Sequence, residues 1–155
     1  MRSSRENEKS FGKKTLSIFI DANTIVSALI FAGNEALLLK FGAAGACRLV
    51  TSHKVIDEVA RILQAKEFRI SHDEIPLILQ FVHRAVVVRE DVRKDDLERY
   101  YARLDDKKDM HVLAAFEKFK CDMLVTGDKQ LLKKVKRAQT TRKALGVILA
   151  PSYQK

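Results

Sequence analysis

The sequence predicts an α/β fold: a mostly parallel central sheet of about five strands between two helical layers, a three-layer α/β/α sandwich. Three observations predict it. Short apolar runs rich in β-branched residues recur along the chain, too short for helices. They are apolar at consecutive positions, as strands are when both faces of a parallel sheet are covered. Between them lie longer segments whose apolar residues repeat at helical spacing.

Leu16–Ile20 is the first buried strand, and Ala22–Phe31 opens a helix directly after it. Helical spacing resumes over Leu37–Phe41 after a break at Gly33 and Asn34. Arg48–Thr51 is a second strand, closed by Ser52, whose hydroxyl can cap the helix His53–Gln64. Ser71–Glu74 has the capping-box pattern, opening a helix through about Arg84 with Pro76 tolerated in its first turns. Ala85–Arg89 is β-branched and reads as a third strand. Lys94–Leu104 is a charged helix, Asp105–Asp109 a loop, and Met110–Lys120 a further helix. Met123–Val125 is a fourth strand, Lys129–Arg137 a helix, and Val147–Leu149 a final strand before Pro151. Met1–Lys14 is polar and aperiodic, which predicts a basic, flexible N-terminal arm over 1–14 ahead of a single domain over 15–155.

At 46% hydrophobic and 32% charged, the 155 residues read as a globular protein and not a disordered or fibrous one. A net charge of +9 points to a polyanionic partner, with nucleic acid the first candidate. Cys47 and Cys121 show no CxxC pairing and no Cys/His spacing, so they predict buried free thiols and argue against structural zinc. Lys13 and Lys14, the apolar run after them and Gly42–Cys47 together imitate a secretory signal. Asp21 and Asn23 interrupt its core, and no run of about 18 uncharged apolar residues exists to span a membrane. The expectation is a cytoplasmic protein with no membrane partner.

Thr15–Phe31 sets one carboxylate, Asp21, inside an otherwise apolar run, and a buried charge needs a partner or a metal. Asp21 follows the first strand directly, and Asp128 follows the fourth through Thr126 and Gly127. Ligand sites of open parallel sheets lie beyond the carboxyl ends of the strands, so both acids fall on one edge. Glu58 lies in the helix after the second strand, and Asp109 starts a helix, where the dipole favours its charge. If the four converge, like charges raise one another's pKa, a conflict that a hard divalent cation resolves. A metal-bound water and an offset of phosphate charge are the chemistry of phosphodiester hydrolysis.

"IFIDANTIVSALIF", "TSHKVIDEVARIL", "DDKKDMHVLAAF" and "CDMLVTGDKQLL" together resemble a PIN-domain ribonuclease, and more narrowly the toxin–antitoxin branch of that family. The resemblance runs from Leu16 to Pro151, with the four motifs in family order. It implies a Mg²⁺- or Mn²⁺-dependent endoribonuclease whose catalytic and metal-holding acids fall on Asp21, Glu58, Asp109 and Asp128. Asn23, Thr126 and Asp106 would support them, and Asp57 stands in for Glu58 if the register slips by one. Lys107 and Lys108 depart from the pattern, where relatives often carry a proline and a further acid. RNA is the implied substrate, giving a 5′-phosphate and a 3′-hydroxyl. Such toxins are neutralised by a small antitoxin and often form homodimers.

Each acid also has a plainer reading. Asp21 and Asp128 are good helix N-caps, Asp109 a first-turn acid and Glu58 a solvated helix residue. His53 and His111 read as surface or hydrogen-bonded residues, and Phe116 and Phe119 as core. Lys129–Lys143 holds seven Lys or Arg and no acid: a solvated face, or a contact to RNA through Lys129, Lys133, Lys134 and Arg137. A haloacid-dehalogenase-type phosphatase competes on "FIDANT", but Asn23 stands where its general acid should be. The other alternative is a non-catalytic RNA-binding or protein-interaction module on a PIN scaffold.

Overall fold

The computed structural model describes residues 15–100 and 109–150. The N-terminal arm, the acids Asp105 and Asp106, the lysines beside them and Pro151 therefore lie outside the described residues. Five strands form one all-parallel sheet: β1 (Ser17–Ile20), β2 (Arg48–Ser52), β3 (Val86–Arg89), β4 (Met123–Val125) and β5 (Ala138–Gln139), in the order β3-β2-β1-β4-β5. The helices are α1 (Ala22–Ile30), α2 (Asn34–Ala43), α3 (His53–Leu63), α4 (Glu74–Ala85), α5 (Lys94–Leu97), α6 (Met110–Lys118), α7 (Lys129–Lys134) and α8 (Thr141–Leu149). Single 3₁₀ turns lie at Lys66–Phe68 and Glu98–Tyr100. The predicted α/β/α sandwich is the observed architecture.

The strand order sets the layers. From β1 the chain steps outward to β2 and β3, then returns across the sheet to β4 on the other side of β1. Right-handed crossovers place the helices of the outward steps on one face and α6 on the other. Contacts agree: α1 packs on α2 and α3, and α2 also meets α4 and α8, whereas α6 packs beside α5 on β2. Phe19 on β1 meets Phe119, just past α6, with ring centroids 6.2 Å apart. Strand alternation then turns Ile18 and Ile20 to the opposite layer. All three are buried, which is why β1 is continuously apolar.

Side chains tie β1 to its neighbours at both ends. At the amino edge, Ser17 donates its N–H and its Oγ–H to Asp122 Oδ2, at 2.9 and 3.0 Å. At the carboxyl edge, Thr51 Oγ1 donates to the Ile20 carbonyl at 2.8 Å. The register Ile20↔Val125 then sets the next residues, Asp21 and Thr126, side by side just beyond the last rung.

The chain differs from the sequence expectation in its last quarter. Val147–Leu149 is the end of helix α8 and not a strand; the fifth strand is Ala138–Gln139. Thr140 caps α8 by accepting from the Lys143 N–H, and Thr141, Ala144 and Leu145 form its buried face at helical spacing. The helix expected over Lys129–Arg137 stops at Lys134, because Val135 turns extended and buried to lead into β5. Of the helix expected over Lys94–Leu104, the described part is the single turn α5 followed by a 3₁₀ turn. No single helix among the described residues is long and apolar enough to cross a membrane.

Candidate active site at the carboxyl edge of the sheet

β1 and β4 are neighbours whose onward connections leave in opposite directions, so the point between their carboxyl ends is the sheet's topological switch point. A crevice opens at such points in α/β sheets. Asp21 and Asp128 follow the ends of these two strands. Each is the N-cap of the helix that leaves its strand: Asp21 Oδ1 accepts from the Thr24 N–H at 3.0 Å, and Asp128 Oδ1 from the Leu131 N–H at 2.9 Å.

One hydroxyl joins the two acids. Thr126, 1% exposed, donates its Oγ–H to Asp21 Oδ2 at 2.5 Å and accepts the Asp128 backbone N–H at 3.1 Å. Thr24 Oγ1 gives Asp21 Oδ1 a further bond of 2.6 Å. Asp21, 8% exposed, is a buried acid that accepts from three donors, two on Thr24 and one on Thr126. Asp128 Oδ2 accepts no hydrogen bond among the described residues. The resemblance named Asn23 as the support for Asp21. Asn23 is exposed and the bonds come from Thr24, a signal present in "DANT" as a hydroxyl three residues after a cap.

Glu58 stands on the margin of α3, whose buried face is Val55, Ile56, Val59 and Leu63; its neighbour Asp57 is exposed. Its Oε1 lies 3.0 Å from His111 Nε2 on α6, a pairing the sequence did not disclose. Burial pushes the His111 imidazole below its ordinary value, against the pull of Glu58. Asp109 sits two residues earlier, half-buried, and makes no capping bond to α6. Asp21 and Asp128 share the Thr126 hydroxyl, and Glu58 pairs with His111 in the first turn of α6. Among the described residues no three His, Cys, Asp or Glu side chains stand close enough to hold an ion together.

The donor chemistry nevertheless fits a hard divalent cation. Carboxylate oxygens dominate the edge, the thiols are elsewhere, and Mg²⁺ keeps several waters while taking only one or two protein carboxylates. Asp21 and Asp128 are ligands of that type, and Asp21 Oδ2 already accepts from Thr126. A concavity of about 440 Å³ lies elsewhere, among Leu29, Ile30, Leu63, Leu77, Ile78 and Phe81. The side chains that line it are apolar and offer nothing to a reacting phosphate.

The basic run divides by position. Lys129 is exposed at the start of α7, at the carboxyl edge; Lys133 and Lys134 are exposed at its far end. Arg137 precedes β5 at the amino edge. Its Nη1 donates to the Cys121 carbonyl at 2.9 Å and its guanidinium lies 4.7 Å from the centre of the Phe116 ring.

A family model described as PIN domain matches residues 17–130, from β1 into α7 and over more than half of the chain. The chain belongs to the PIN domain family. PIN domains are generally nucleases, so this one carries a nuclease-type fold. The solved structure of PAE2754 from Pyrobaculum aerophilum is similar to this PIN domain, at 26% identity and a TM-score of 0.65. The match covers 87% of this chain and 96% of that one. No curated protein matches the chain.

Proposed function

We propose that this PIN domain is a Mg²⁺- or Mn²⁺-dependent endoribonuclease. The observation that carries the reading is the Asp21–Thr126–Asp128 arrangement at the switch point. Asp21 and Asp128 would hold the ion through the oxygens their helix caps leave over. When bound there, the ion supplies an activated water and offsets charge on a phosphate. Thr126 fixes the spacing of the two acids, and the closed core beneath β1 and β4 keeps water from their inner sides. Glu58, held by His111, and Asp109 border the same edge and would orient the phosphate or the water through their carboxylates. RNA as substrate is supported by the motifs and by the +9 charge. In this reading the chain acts as a toxin with a small antitoxin partner, for which the support is the motif resemblance.

The test is cleavage of labelled single-stranded RNA with Mg²⁺ or Mn²⁺, comparing wild type with Asp21→Asn and Asp128→Asn. Asparagine caps a helix about as well as aspartate, so both variants should fold. Metal-dependent cutting abolished by each is the expected result. Cutting that survives either substitution overturns the assignment. The second reading, a non-catalytic RNA-binding module, draws on the +9 charge, which a binding surface uses as a nuclease does. It expects no cutting and no rise in Tm when Mn²⁺ is added.

A further inference from the structure

The Lys129–Lys143 run carries seven cations, and the fold sends them to different places. β5 ends beside β4: Val125 pairs with Gln139, and the Thr126 N–H donates to the Gln139 carbonyl at 3.1 Å. The residues after Gln139 therefore begin next to Thr126, whose hydroxyl touches both site acids. They are Thr140, the α8 cap, and the first turn of α8 with Arg142 and Lys143, both exposed. Lys129 reaches the same edge from the start of α7. Lys136 and Arg137 lie at the opposite edge, and Arg137 is spent on Cys121 and Phe116.

Three features of Arg142 and Lys143 call for an external anion. The first turn of α8 contains no acid, and cations there oppose the helix dipole, so internal stability does not account for them. Neither has a carboxylate partner among the described residues. The backbone of that turn is already capped by Thr140, so any contact belongs to the side chains. A polyanion approaching Asp21 and Asp128 is repelled by them unless cations flank the path, and these three residues are the cations of the run that flank it.

We infer that Lys129, Arg142 and Lys143 bind the phosphate backbone of a single-stranded RNA and lay it across the Asp21–Asp128 edge. The inference rests on the nuclease reading for the nature of the polyanion. Arg142 and Lys143 lie past the residues that the family model matches. The pair replaces Lys133, Lys134 and Arg137 as the partners of Lys129.

The experiment is fluorescence anisotropy of a labelled oligouridine with the full chain in chelator, across a salt series. One variant carries Lys129→Gln, Arg142→Gln and Lys143→Gln. The control removes equal charge at the amino edge through Lys40→Gln, Arg84→Gln and Lys136→Gln, exposed residues that lead into β2, β3 and β5. Each phosphate contact to a single strand is worth about 0.7 in the slope of log K against log salt. Three lost contacts should lower the slope by about 2 and weaken binding about 100-fold at roughly 0.1 M salt. The control should lose only a few-fold, since charges beyond about 10 Å are screened. Arg142→Gln with Lys143→Gln should melt no lower than wild type, a result that a merely structural role would reverse. Equal weakening by both triple variants overturns the inference. So does wild-type binding by the first triple variant, and if wild type cuts RNA in that case the nuclease reading stands alone. Wild type that neither binds nor cuts RNA overturns both.

Discussion

Thr126→Val removes one oxygen from the centre of the site and nothing else of similar size. In the wild type that oxygen serves two partners, the Asp21 carboxylate and the Asp128 backbone N–H. A hydrogen bond to a charged group contributes ~1.5–3 kcal/mol, and the amide bond adds ~1 kcal/mol. Asp21 is too enclosed for water to replace the lost donor on Oδ2 in full. The extra methyl of valine, buried at the same place, returns up to ~0.8 kcal/mol. The net expectation is a loss of about 2–3 kcal/mol.

Thr126→Ser is the matched control, since it keeps both hydrogen bonds and deletes one buried methyl, at a cost of ~1 kcal/mol. Urea unfolding at neutral pH should rank wild type above the serine variant and the serine variant above the valine variant, with unchanged m-values. The cleavage assay should follow a different order, with serine close to wild type and valine strongly impaired, because only valine releases the spacing of Asp21 and Asp128. A valine variant as stable as the serine variant would falsify the claim that this hydroxyl holds the two acids together.

Gly42 on α2 lies against the sheet, where an added Cβ would stand 2.4 Å from Leu49 Cδ1 and 3.0 Å from the Ala85 carbonyl. Gly42→Ala should therefore lower stability by ~1–3 kcal/mol, opposite in sign to the usual gain of alanine in a helix, and a thermal melt reads it directly. Burial pushes the Cys47 thiol to about 11, and burial, with Asp122 adding, pushes the Cys121 thiol to about 11, both from 9.0. Unfolded thiols ionise first, so their stabilisation is intact below pH 9.0 and falls as pH rises from there towards about 11. The fall is at most ~1.4 kcal/mol per pH unit for each thiol, and a Cys47→Ala, Cys121→Ala variant should show a shallower alkaline decline in urea midpoint.

Much of this fold is written locally. The β-branched runs marked β1 to β4, and the caps Ser52, Asp21 and Asp128 marked the helices after three of them, because these signals depend on residues close in sequence. β5 carries no such signal. A two-residue strand has no periodicity, and Ala138–Gln139 is extended because β4 offers it hydrogen bonds. The triplet Val147–Leu149 is apolar for another reason, as part of a helix packed towards α2, and three residues cannot distinguish the two. The site divides in the same way. Strand ends placed Asp21 and Asp128 on one edge, but the Glu58–His111 pair joins positions far apart in sequence and follows from the packing of α3 and α6. A run of lysines and arginines, likewise, does not say which edge each residue will reach.

Capping and metal binding are competing explanations for an aspartate only if the side chain can do one of them. A carboxylate has two oxygens, and at both Asp21 and Asp128 the cap uses Oδ1 alone. Serine caps equally well but has no second oxygen and no charge, so Asp128→Ser separates the two roles. If the cap is the whole function of Asp128, the serine variant should equal wild type in stability and in its response to Mn²⁺. If the second oxygen serves a cation, the variant should keep its stability in chelator to within about 0.5 kcal/mol but lose the rise in Tm that Mn²⁺ gives wild type. A variant that still gains the full Mn²⁺ shift would remove Asp128 from the metal site and leave it a cap. Aspartate at a strand end can start a helix through one carboxylate oxygen and keep the second clear of the cap, a combination that asparagine, serine and threonine do not offer.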